Sequence, residues 1–324
     1  MGKKAAELMH GIRPHIRAVR TTKAIMSDVV IALIPALIGS IYYFGIGSLI
    51  LTLTSVTTCV LSEYIWQRLR KEPIRVGDFS AVVTGILLAF NFPVTTPLWI
   101  VWIASVFSII VVKQIFGGIG NNFANPALMG RAIVMLLWPG SIAQYVSANN
   151  AGTDAVSSAT VLSMLKSGQE NIGYSHLDMF LGNIPGALGE TSKLLLLIGF
   201  FYLCYRQVVH FWAAITYIVT VVAITFVFGG NGWFTGDVLT NLLGGGLILG
   251  ACYMITDYPS VAPRVKVMIA ILAGIVTASI RIWGTLPEGV CFGILTGNCL
   301  SGLVEWMIQP HIYGVDRKKS NNNL

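Results

Sequence analysis

Apolar runs about twenty residues long recur along the whole chain. They restrict its fold more than any other feature, because a run of that length with few charges crosses a bilayer as a helix. Candidate spans fall at about 26–45, 47–66, 79–95, 98–115, 124–140, 192–209, 211–228, 237–256, 266–283 and 289–308. Of 324 residues 55% are hydrophobic and 11% charged, with a mean hydropathy of +0.73, which excludes a water-soluble globule. The expected fold is an all-α polytopic membrane protein of about ten transmembrane helices.

The net charge of +7 is distributed as an orientation signal and not as a nucleic-acid footprint, so no nucleic acid is expected as a partner. Met1 to Lys23 is polar and basic without an apolar stretch, and no cleavable signal is expected there. With both termini cytoplasmic, 18 of the 21 Lys and Arg residues, Lys113 and Arg131 among them, lie inside; only Lys166, Lys193 and Arg281 lie outside. The organisation that follows is a basic N-terminal segment 1–25, a five-helix unit 26–140, an extracytoplasmic loop 141–191, a second five-helix unit 192–308 and a cytoplasmic tail 309–324. The basic arm suits anionic lipid of the bilayer or a docking partner. All five cysteines sit in apolar segments without a C-x-x-C pair, which suits core packing and predicts no metal held by this chain alone.

Two segments share a pattern. Asn91-Phe92-Pro93-Val94-Thr95-Thr96-Pro97 and Asp257-Tyr258-Pro259-Ser260-Val261-Ala262-Pro263 each follow a Gly-containing apolar run that is preceded by Gly-Asp, at Gly77-Asp78 and Gly236-Asp237. Five spans separate the copies, so the units are expected to be inverted repeats with broken helices, an arrangement that gathers a binding site near the pseudo-two-fold interface. Read alone, either proline merely ends a helix.

Three polar constellations carry the candidate site. Gly117-Gly118-Ile119-Gly120-Asn121-Asn122-Phe123-Ala124-Asn125 allows close backbone approach, and Asn122 and Asn125 address one ring edge if the turn is helical; otherwise it is a Gly-rich turn with Asn caps. Gly182 to Thr191 leads into the sixth span, with Glu190 or Thr191 as its cap. Asp154-Ala155-Val156-Ser157-Ser158-Ala159-Thr160 places a hydroxyl among small residues; the plainer reading makes Ser157 or Ser158 the cap of a short helix, Ala159–Lys166. Attack by so weak an acid on phosphorus needs activation from a second protein or a metal. Trp138, Tyr145 and Tyr174 are stacking candidates or interfacial anchors.

Asn125-Pro126-Ala127-Leu128, Asp154 to Thr160, Gly182 to Thr191 and Thr256-Asp257-Tyr258-Pro259, in that order, resemble the RnfD family, the D-subunits of the Rnf (Rsx) ferredoxin:NAD+ oxidoreductase complex, and its relative, the B-subunit of the sodium-pumping NADH:quinone oxidoreductase. The resemblance runs nearly end to end, with Ser158 where that family often has Gly. It implies an electron-carrying protein of a bacterial or archaeal cytoplasmic membrane, part of an enzyme complex but not a complete enzyme alone and without a catalytic residue of its own. It implies FMN joined to Thr160 by a phosphoester, placed outside the membrane by a flavin transferase, with Asp154, Ser157, Ser158, Ala159, Gly182, Glu190 and Thr191 around it. It implies non-covalent riboflavin nearer the cytoplasm, carried onto Asn122, Asn125 and Asp257. The implied partners are a flavin-bearing G-subunit, an NAD-reducing C-subunit and the membrane A- and E-subunits, with electrons passing from ferredoxin toward NAD+ coupled to Na+ or H+ movement. No dinucleotide fingerprint occurs in this chain, so nicotinamide chemistry belongs to a partner. The competing reading is a solute transporter or channel without flavin, using Asp28, Glu63, Asp257 and Glu305.

Overall fold

The computed structural model describes residues 21–120, 122–147, 157–167, 173–209, 211–230, 232–256, 263–286 and 288–307. In chain order its helices are α1 (Thr22–Phe44), α2 (Ile46–Leu69), α3 (Ser80–Phe90), and α4, which runs Leu98–Val106 and continues as a π-helix over Phe107–Gln114. Then come α5 (Pro126–Leu137), α6 (Val161–Lys166), α7 (His176–Leu181), α8 (Lys193–Tyr205) and α9 (Phe211–Phe228). The last are α10 (Val238–Leu243), α11 (Leu247–Leu249, continuing as a π-helix over Gly250–Met254), α12 (Pro263–Trp283) and α13 (Val290–Met307). A two-residue antiparallel bridge pairs β1 (Tyr145–Val146) with β2 (Ser157–Ser158).

Five of these helices, α1, α2, α9, α12 and α13, are long and apolar enough to cross a membrane, an architecture consistent with a polytopic membrane protein. The 23 residues of α1 extend about 34 Å, against a hydrocarbon core of about 30 Å. The other apolar helices are shorter than the runs predicted for them. The run 79–95 stops being helical at Phe90, and the run 237–256 breaks between Leu243 and Leu247. At the second break Gly244 is extended and Gly245 has φ +64°, so three glycines supply a conformation that the apolar pattern alone does not reveal.

A half-length helix leaves open carbonyls that lipid cannot satisfy. The end of α3 is closed by the segment 182–192: the N–H of Gly189 donates to the Phe90 carbonyl (2.9 Å) and that of Leu188 to the Phe92 carbonyl (3.0 Å). A Cβ on Gly189 would overlap the Phe90 ring, which explains a glycine there. Residues 184–193 are all buried, so this predicted extracytoplasmic loop runs through the protein interior. Ten of the eleven residues of α3 are buried, as expected of a helix apolar all round. Its Gly85 lies against the Val56 backbone, 2.7 Å from where a Cβ would stand.

Candidate functional site

One cluster of buried charges converges on the helix breaks. Arg131 of α5, 5% exposed, donates through one terminal nitrogen to Asn91 Oδ1 (2.9 Å) and Glu190 Oε1 (3.2 Å), and through the other to Glu288 Oε2 (2.6 Å). The second Glu288 oxygen accepts from the Gly246 N–H. One guanidinium therefore ties together the end of α3, the buried segment before α8, the break between α10 and α11, and the start of α13. The planar fork of arginine matches this many-sided acceptor set in a way a lysine ammonium does not. Lys193, 1% exposed, donates to the carbonyls of Glu190 and Thr191 (3.3 Å) and fixes the same segment from the other side.

Thr160 stands at the edge of this assembly. It is half-buried and is itself the N-cap of α6: its Oγ1 accepts from the Ser163 N–H (3.3 Å) and donates to Ser163 Oγ (3.1 Å). The cap predicted at Ser157 or Ser158 is therefore corrected. Those two residues pair with Tyr145 and Val146 in the strand bridge, and the helix starts at Val161. Helix α6 is locked in place at both ends. Val161 packs with Met179 and Ile184, and the Lys166 ammonium donates to the carbonyls of Ile280, Gly284 and Leu286, the last at 2.8 Å.

An aspartate accepts at the start of each broken helix, one residue before the N-cap Phe79 of α3 and as the N-cap itself of α10. Asp78 accepts from the Ser80 N–H (2.8 Å) and hydroxyl (2.6 Å) at the start of α3; Asp237 accepts from the Thr240 N–H (3.1 Å) and hydroxyl at the start of α10. Each of these helices meets a buried cation, at the start of α3 and at the end of α10. Lys113 donates to Ser80 Oγ (2.6 Å) and Glu63 Oε2 (2.9 Å), whereas Arg281 donates to the carbonyls of Asn241 (2.6 Å) and Gly244 (3.3 Å). Beside the first lies a cavity of about 680 Å³ lined by Thr22, Gln67, Arg75, Asp78, Gln114 and Gly118; beside the second lies one of about 240 Å³ lined by Leu162, Lys166, Asn241 and Arg281. They sit at opposite ends of the bundle. Thr22 starts α1 at the larger cavity, while Tyr43 near its other end donates to the Leu181 carbonyl (3.0 Å) of α7, which packs on α10.

The predicted residues divide accordingly. Glu190 belongs to the buried ionic cluster and does not cap α8; Ser192 does, accepting from the Leu195 N–H (3.4 Å), and Thr191 donates to the Leu188 carbonyl (3.3 Å). Gly182 ends α7 with φ +111°, a conformation that favours glycine. Asn125 caps α5 through Oδ1, bonded to the N–H groups of Ala127 and Leu128, while its buried Nδ2 has no partner among the described residues. Asn122 has a buried Oδ1 three residues earlier, and Ala159 is exposed next to Thr160. Asp154 and Asp257 lie outside the described residues. Trp138 stacks edge-to-face on Trp99 at 5.3 Å. Of the carboxylates suited to an ion path, Asp28 pairs with Arg206 (3.2 Å), Glu63 pairs with Lys113, and Glu305 is exposed.

Sequence reasoning does not single out Arg131, Glu288, Lys113 or Arg281 as site residues. The charge count places Arg131 and Lys113 on the cytoplasmic surface and Arg281 on the external one, yet all three are buried. The available signal is that each interrupts or abuts an apolar run, where a charge needs a partner.

Residues 10–314 match the family model described as NQR2, RnfD, RnfE. The D-subunit of the Na+-translocating ferredoxin:NAD+ oxidoreductase complex of Acetobacterium woodii is 42% identical over 310 residues, covering 94% of this chain and 95% of that protein. The D-subunit of the proton-translocating ferredoxin:NAD+ oxidoreductase complex of Clostridium ljungdahlii is 36% identical, covering 94% and 95%. The D-subunit of the ion-translocating oxidoreductase complex of Yersinia enterocolitica is 28% identical, covering 92% and 96%. Matched almost from end to end, and with relatives that are subunits of oxidoreductase complexes, the chain belongs to the NQR2, RnfD, RnfE family.

Proposed function

We propose that this chain is the membrane flavoprotein subunit of an ion-translocating ferredoxin:NAD+ oxidoreductase complex, with FMN esterified to Thr160 and a second, non-covalent flavin at the opposite end of the bundle. The observation that carries the reading is the setting of Thr160: a half-buried hydroxyl beside exposed Ala159, on a short helix fastened to the carbonyl ends of a membrane-length helix. That setting fits a tethered group that needs fixed orientation. Bound there, a flavin supplies the electron-transfer chemistry, and the chain supplies anchoring and electrostatics.

The cavity of about 680 Å³ suits the second flavin better than Asn122 and Asn125 do, since it is large enough for a fused ring and lined by mixed polar groups. The Gly-Asp pairs at the starts of α3 and α10 support inverted five-helix repeats, and the burial of four cations bears on orientation. Withdrawing Lys113, Arg131, Lys193 and Arg281 from the surface count removes two from each side, leaving the cytoplasmic excess intact. We place Thr160 outside a cytoplasmic membrane and both termini inside, with a flavin transferase and the other subunits of the complex as partners.

The test is in-gel fluorescence of the denatured full chain from cells containing the transferase. A fluorescent band that is lost in Thr160→Ala is expected. A dark wild-type band defeats the reading and leaves a flavin-free transporter in its place.

A further inference from the structure

We propose that the cavity of about 240 Å³ lined by α6 and the ends of α9 and α12 seats the phosphate of an anionic phospholipid, with the Arg281 Nε–H and the Lys166 charge turned to it. The inference stands apart from the flavin reading, since it needs only that the chain lies in a membrane.

The first observation is charge. Arg281 and Lys166 both line the cavity, and among the described residues neither is in an ion pair. The Lys166 ammonium donates to the carbonyls of Ile280, Gly284 and Leu286, and the terminal nitrogens of Arg281 donate to those of Asn241 and Gly244. Carbonyl dipoles orient the two cations but leave both charges standing. Glu190 and Glu288, whose fields reach Arg281, are themselves bonded to Arg131. The cavity is therefore positive, and a charge at membrane depth calls for a counter-ion.

The second observation is an unmade bond. Arg281 is 7% exposed, and among the described residues its buried Nε has no partner. A buried donor left unmade is costly, and a phosphate oxygen would complete it with a charge-assisted bond. The Nε of Arg131 is also without a partner there, but two carboxylates already meet that guanidinium, so an anion is disfavoured beside it.

The third observation is depth. Phe228, in the cavity wall, is the last residue of α9 and stacks on Trp233 at 5.3 Å and on Trp283, the last residue of α12, at 5.8 Å. Both indoles are largely exposed, and exposed aromatics gathered at helix ends mark the level of the lipid headgroups. The volume lies below the roughly 300–1,000 Å³ of sites that enclose a drug-sized ligand, which suits a headgroup whose chains stay in the bilayer. A choline headgroup would add a third cation to the two already there, whereas a glycerol headgroup adds none.

The experiment is native mass spectrometry of the delipidated full chain, mixed with phosphatidylglycerol and phosphatidylcholine of identical acyl chains. Wild type should retain one phosphatidylglycerol, preferred at least about tenfold, since each basic residue near a membrane surface strengthens binding of an anionic lipid about fivefold. Arg281→Gln should lower the preference about fivefold. Leu165→Trp fills the cavity and keeps both cations, so it should abolish the preference without removing an arginine on which folding depends. Equal retention of the two lipids by wild type overturns the proposal, as does an unchanged preference in Leu165→Trp. Displacement of the lipid by millimolar inorganic phosphate assigns the cavity to a free anion and overturns the lipid as its occupant. Thr160→Ala should bind as wild type does, and lipid retained in that variant alone gives the cavity to the group on Thr160 and overturns the proposal. A wild-type band without flavin fluorescence that still retains the lipid defeats the flavin reading and supports this one.

Discussion

The two broken helices each open on an aspartate bonded to their first turn but are braced by different cations at different places, Lys113 at the start of α3 and Arg281 at the break after α10, and that difference separates two ways of holding a half-length helix. At the Thr22 end, Lys113 and Glu63 form a buried ion pair, 2% exposed on each side, with Gln67 and Gln114 donating to the same carboxylate. At the Thr160 end, Arg281 is held among the described residues by backbone carbonyls alone at the break it braces. A lysine facing a carboxylate balances charge with charge. An arginine facing carbonyls closes open helix groups and leaves its own charge without an ion pair at hand.

The largest expected effect breaks the comparison at the Thr22 end. Lys113→Met removes one member of a buried pair and strands Glu63, which should cost about 3–5 kcal/mol. The thermal midpoint of the solubilised chain should fall accordingly, and Glu63→Gln added to Lys113→Met should restore most of it. If the single variant is as stable as wild type, the pair is not what braces α3.

At the Thr160 end the corresponding change is milder. Arg281→Met strands two carbonyls and no carboxylate, for a loss of about 2 kcal/mol, since each unmade buried bond costs about 1–3 kcal/mol and Met still fills the space. A loss equal to that of Lys113→Met would show that the two ends are braced alike after all.

The two aspartates test the shared part of the design. Asp237→Ala removes the N-cap of α10 and should cost about 1 kcal/mol; Asp78→Ala, which removes bonds to the Ser80 N–H and hydroxyl made from one residue before the N-cap of α3, should cost a similar amount. Unequal losses in chemical denaturation would mean that the Gly-Asp correspondence is one of sequence only.

Much of this design is legible in the chain and part of it is not, for identifiable reasons. The apolar runs place every long helix in order, and α9 coincides with its predicted span, because span length is set by the bilayer and is written in hydropathy. The Gly-Asp pairs mark the starts of α3 and α10, since an aspartate bonded to the backbone two or three residues on is a local device. The breaks are only partly readable. Pro93 announces an end near α3, but nothing local says that Gly189 and Leu188 close it, a contact ninety-odd residues away in sequence. Arg131 is misplaced by charge counting for the same reason: its partners Glu190 and Glu288 lie in separate segments, and a count treats a buried cation as a surface one. Thr160 stands out by pattern, while its role as cap of α6 depends on the pairing of Ser158 with Tyr145.

The smallest expected effect belongs to the Thr160 end alone, where the segment that plugs α3 is tied to a capping box. Asp178 Oδ2 accepts from the Ser175 hydroxyl (2.7 Å) and N–H (3.3 Å), and the Ser175 hydroxyl oxygen accepts from the Asp178 N–H (3.1 Å). The Asp178 carbonyl then receives the N–H groups of Gly182 and Asn183, where the buried segment begins. The Ser175 bonds favour the ionised carboxylate and hold its pKa below the usual value. A depressed folded pKa means that this contribution is complete above the unfolded value of about 3.9 and fades as pH falls through the lower folded value. Between about pH 6 and pH 5 the thermal midpoint should therefore be unaffected by this group, and below about pH 4 it should decline more in wild type than in Asp178→Asn. Parallel decline in both proteins would detach the box from the plug and make the Thr160 end as independent of its surface loop as the Thr22 end.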